Sequence, residues 1–97
     1  MNLGQLIENL NQLNDDFSIF ACKPWSPASE AVAIPRGKDF KVPAEIPARR
    51  LEYFLEIFFA KQLLEVFEDR PASKKDQIRM LIYYAEYDVY PDWVFEE

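Results

Sequence analysis

"FSIFACKPWSPASEAVAI", residues 17–34, is the stretch that decides the fold. Phe17 to Lys23 and Glu30 to Ile34 are short, largely apolar runs, and the "PWSPAS" between them holds two prolines and two serines. Two apolar runs joined by chain breakers predict a β-hairpin with a six-residue loop. Trp25, flanked by Pro24 and Pro27, reads as a clamp that holds this loop onto the core.

The flanks on both sides read as helices. Upstream, Leu3, Leu6, Ile7, Leu10 and Leu13 recur at steps of three and four, the mark of an amphipathic helix. "NDD" at 14–16 then closes it with residues that favour turns. Downstream, "PRGKDFKVPAEIPARR" (35–50) holds three of the seven prolines and reads as a connector, with a candidate edge strand at Phe40 to Val42. Ala48 to about Phe67 reads as a long helix with apolar residues on nearly all sides, hence a central helix sandwiched between other elements. "EDRPAS" (68–73) breaks the chain. Ser73 caps a last helix running to about Asp88, with Asp76 three residues later and Ile78, Leu81, Ile82, Ala85 and Val89 on one face. The order predicts one α+β domain over 1–97, a small antiparallel sheet packed against about three helices.

Composition limits the chemistry. Of 97 residues, 49% are hydrophobic and 15% aromatic, which favours a packed globule over a disordered chain. With no histidine and a lone Cys22, the commonest general base and the usual zinc ligand sets are missing, so no metal or other cofactor is expected. Two isolated glycines make no phosphate loop, and the serines lack a nucleophile-elbow setting. Glu52 and Glu56, four apart on the expected central helix, are the one pair of carboxylates placed for acid–base chemistry. A solvated stripe on a mostly buried helix is the favoured reading of them, and the expectation is that the protein is not an enzyme. The start of the chain does not read as a secretory signal, and "YFLEIFFAKQLLEVF" is broken by charges too often to span a membrane. A cytoplasmic location is expected.

The net charge is −6. Residues 36–50 are basic (five basic, two acidic), whereas 51–97 carry five basic and eleven acidic residues. Such a chain repels nucleic acid and suits a basic protein partner. The acid concentrates in "YYAEYDVYPDWVFEE" (83–97), where six aromatics stand among five carboxylates. Tyr83 and Tyr87 fall opposite the apolar face of the last helix, with Met80 beside them and Tyr90 continuing the stripe. Either these rings pack into the core, or with Glu86, Asp88 and Asp92 they form a docking face for the partner. Pro91 ends the helix, and Trp93-Val94-Phe95 reads as a short extended segment in which Trp93 is a second clamp.

Three stretches together, "IENLNQLNDDFSIFACKPWSPASEAV", "LEYFLEIFFAKQLLEVF" and "LIYYAEYDVYPDWVF", resemble a family of small acidic bacterial proteins. In size and kind these are similar to the immunity proteins of contact-dependent growth inhibition and other polymorphic toxins. The resemblance implies a cytoplasmic protein that binds a cognate toxin domain, for instance a nuclease, and blocks its active site without catalysis. A constitutive adaptor, a homodimer and an acidic mimic of nucleic acid stand beside it as alternatives.

Overall fold

The computed structural model describes residues 1–35, 43–67 and 72–95. A three-stranded antiparallel sheet lies at its centre in the order β2-β1-β3: β1 is Phe17–Cys22, β2 Ala31–Pro35 and β3 Leu51–Glu56. The hairpin forms where the sequence places it, with Phe17 opposite Pro35 and Ala21 opposite Ala31. Among the described residues four helices join the sheet: α1 Leu3–Glu8, α2 Glu45–Ala48, α3 Ile57–Leu64 and α4 Lys74–Tyr87. The fold is α+β. Among the described residues no helix is long and apolar enough to cross a membrane.

The middle strand explains the layering. Ser18, Ile19, Phe20 and Ala21 are all buried, so both faces of β1 are covered. Ile19 and Ala21 point into the main core with Leu3, Leu6 and Ile7 of α1 and Ile78, Met80 and Leu81 of α4. On the opposite face Phe20 packs with Ile46 of α2 and with Leu51. The ion pair of Arg49 with Glu30, at 2.6 Å, ties the end of α2 to the start of β2.

The long central helix is not formed. Residues 51–56 are instead the third strand, and helix begins only at Ile57. Leu and Glu favour helix, but Leu51, Tyr53 and Leu55 can also alternate along a strand. Pairing with the open edge of β1 settles it, because tertiary contact overrides propensity. The strand enters from Arg50, whose left-handed φ of 62° turns the chain out of α2. Register slips between Ile19 and Phe20: Leu55 faces Ile19, Tyr53 faces Phe20, and Phe54 is the extra residue. This bulge lets two consecutive side chains, Phe54 and Leu55, enter the same core. On α3 the buried face is Ile57, Ala60 and Leu63, while Phe58 and Phe59 are exposed.

The other departures are local. The expected edge strand at Phe40 to Val42 lies outside the described residues. The apolar run of the first helix stays buried through Leu10, but the α-helix ends at Glu8 and a 3-10 turn carries Leu10–Gln12. Trp93-Val94-Phe95 is not extended: Asp92–Phe95 forms a 3-10 turn that buries Val94. Met80 does not stand with Tyr83 and Tyr87 but is fully buried in the core.

Candidate functional site

One wall of the candidate site is α4. Ser73 starts it by accepting the Asp76 N–H at 3.1 Å through its hydroxyl, satisfying a donor that the helix leaves open. Ile78, Met80 and Leu81 anchor the helix to the core. Burial of that side leaves a second stripe, Arg79, Ile82, Tyr83, Glu86 and Tyr87, at steps of three and four residues. Tyr83 and Tyr87, 38% and 61% exposed, lie with ring centroids 4.6 Å apart.

The turn from Lys23 to Pro27 is the other wall, and it is held from three sides. Trp25 donates its indole N–H to the Ala21 carbonyl at 3.1 Å and sets its ring edge-on to Phe54 at 5.0 Å. Ser29 Oγ accepts the Ser26 N–H at 2.9 Å and donates to the Pro24 carbonyl at 3.2 Å. The carbonyls of Pro27 and Ser29 accept the Gly4 and Leu3 N–H groups, so the turn also supplies partners for the first turn of α1. A side chain at position 4 would crowd the turn. A Cβ there would sit 3.1 Å from the Pro27 carbonyl oxygen and 3.3 Å from its Cβ. The Lys23–Pro24 peptide bond is cis.

Between these walls runs a groove of about 710 Å³, into which Trp93 also projects. A cation lies over each tryptophan. Lys23 Nζ stands 4.6 Å from the Trp25 ring, and the Arg79 guanidinium stands 4.3 Å from the Trp93 ring. Arg79 also pairs with Asp76 at 3.4 Å. Among the described residues, the charged groups lining the groove are Lys23, Arg79 and Glu86, so this part of the surface is not acidic although the chain is.

The six residues expected to form a docking face are therefore divided. Tyr83, Glu86 and Tyr87 share the groove. Asp88 sits at the C-terminal cap of α4 in a left-handed conformation, φ 60°, beside a separate hollow of about 230 Å³. Tyr90 is packed: its ring meets Tyr84 at 5.2 Å and Phe95 at 5.8 Å, and its hydroxyl makes a long 3.5 Å bond to the Leu63 carbonyl. Burial, then the neighbouring Tyr84 and Glu65, push its phenol above the usual tyrosine value. Asp92 is exposed in the first turn of the terminal 3-10 segment and does not line the groove. Tyr90 leaves the stripe because the helix ends at Tyr87.

Glu52 and Glu56 are separated as well. On a strand, four residues span roughly 13 Å, against about 5–6 Å on a helix. Glu52 pairs with Ala21 and Glu56 with Ser18, three positions apart on β1 and hence on opposite faces of the sheet. Acid–base work by this pair has no geometric basis. Among the described residues, no group of three or more His, Cys, Asp or Glu side chains is gathered to hold a metal ion.

Lys23, Trp25, Arg79 and Trp93 are among the groove residues that the sequence did not assign. Arg79 was legible in principle, since it precedes Tyr83 by four and Glu86 by seven on one helical stripe. That the Lys23–Pro27 turn faces this stripe is a tertiary fact. Compared with protein-family models, curated proteins and solved structures, the chain matches none.

Proposed function

We propose that this protein works by binding another protein, without catalysis, through the groove between α4 and the Lys23–Pro27 turn. One observation carries the reading: Tyr83 and Tyr87 stay exposed, against a proline-rich wall that hydrogen bonds hold in place. Aromatic side chains on fixed supports bury large area at little entropic cost, which is what binding hot spots require. In the role we assign it, the partner is a bacterial toxin domain, occluded in the cytoplasm by an immunity protein. The charge of −6 supports a basic partner, because opposite fields speed encounter from beyond contact distance.

The gene's surroundings test the role first: a toxin domain encoded beside this chain is expected, its absence contradicts the proposal, and co-expression with that domain is the second step. The wild-type protein is expected to restore growth, and the Tyr83→Ala/Tyr87→Ala double variant to fail while remaining folded. Failure of the wild type to protect, or full protection by the double variant, contradicts the proposal.

A homodimer is the second reading, favoured by Tyr53 and Phe58, each 50% exposed away from the groove. Sedimentation of the protein alone separates them: a dimer abolished by Tyr53→Ser and Phe58→Ser supports this second interface.

A further inference from the structure

The groove carries local charge opposite to that of the whole chain. Among the described residues, its lining holds two cations and one carboxylate, in a protein with a net charge of −6. The Lys23 ammonium lies on an indole face, and among the described residues it makes no ion pair. A cation placed on an aromatic ring keeps its outer side free for an anion. Arg79 repeats the arrangement over Trp93, and among the described residues it pairs with Asp76 alone, at 3.4 Å.

Resting on the protein-binding reading above, we propose that the groove takes an extended, acidic segment of the partner. Carboxylates of that segment sit at Lys23 and at Arg79, and an apolar or aromatic side chain between them lies on Tyr83 and Tyr87. Three features select this occupant. Aromatic and proline walls suit an extended chain, whose side chains alternate between the wall and solvent. Both cations can donate to a carboxylate, and charge-assisted bonds are the strong ones. The overall negative field excludes a wholly acidic partner, so the segment is a local acidic loop on a protein that is basic elsewhere. Long-range steering and short-range recognition thus have opposite signs.

Fluorescence titration of the full chain, read through its tryptophans, tests this with two synthetic peptides. One is acetyl-Pro-Glu-Phe-Pro-Glu-amide; in the other, lysine replaces both glutamates. The acidic peptide is expected to bind at least about tenfold more tightly than the basic one, and Lys23→Gln to remove most of that preference, because one charge-assisted bond is worth about a factor of ten. Equal or tighter binding of the basic peptide overturns the proposal, as does an unchanged preference in Lys23→Gln. So does the absence of saturation by either peptide at millimolar concentration. Growth protection that needs Tyr83 and Tyr87 but survives Lys23→Gln and Arg79→Gln sinks this inference alone and leaves the protein-binding role standing.

Discussion

Trp25 is the side chain on which the groove wall and the core depend together, and Trp25→Ala shows how much. The indole is half-buried, so it removes on the order of 100 Å² of apolar surface from water, worth about 2.5 kcal/mol. Its N–H bond to the Ala21 carbonyl adds about 1 kcal/mol, and its edge-on contact with Phe54 about 1 kcal/mol more. The sum, about 4–5 kcal/mol, is an upper value because the unfolded chain is already partly compact. Measured losses for such truncations run to about 3–5 kcal/mol. For a domain of this size, with about 5–15 kcal/mol in total, that is a large share. Urea unfolding followed by circular dichroism is the assay, with Trp25→Phe alongside. The phenylalanine variant keeps a ring against Phe54 and loses the hydrogen bond, so about 1–2 kcal/mol is expected. A loss below about 1 kcal/mol for Trp25→Ala would refute the reasoning, since the turn would then be held without its indole.

Three other perturbations follow from the geometry. Phe54→Ala should cost about 3–5 kcal/mol by urea titration, because the bulge residue is 2% exposed and its removal leaves a cavity in the core. Asp88→Gly should raise stability by about 1 kcal/mol in thermal melts: it removes a Cβ from the left-handed position and a negative charge from the C-terminal end of α4. Tyr90 gives a pH signature. Its phenol is raised above the ordinary value by burial, so between the two values the folded state holds more protons than the unfolded one. Its contribution is therefore complete below about pH 10 and lost as pH rises through the folded value. Stability measured from pH 8 to 11 should fall less steeply in Tyr90→Phe than in the parent, and parallel curves would contradict the assignment.

The hairpin and the last helix were legible because their signals are local. Apolar runs around "PWSPAS" and the Ser73 cap need no distant partner to be read. Residues 51–56 were not legible, since their side chains satisfy a helical wheel and a strand alternation alike, and the choice lies with β1 across the sheet. The same limit applies to the site. Tyr83, Glu86 and Tyr87 share a helical stripe that sequence periodicity reveals, and they do line the groove. Asp88, Tyr90 and Asp92 follow them in sequence but lie past the end of the helix, where the chain turns and periodicity no longer reports direction. Trp25 and Trp93 were read as clamps. The structure gives both of them core contacts, with Phe54 and with Phe67, and also places them in the groove.

The central claim is that the partner seats between α4 and the Lys23–Pro27 turn. Backbone amide shifts of the labelled protein, recorded free and in complex with whichever protein it captures and neutralises in co-expression, test it most directly. The expected result is a set of perturbations concentrated at residues 23–27, 79–87 and 93. Perturbations confined to β2, to α2, or to Tyr53 and Phe58, with the groove unchanged, would contradict it.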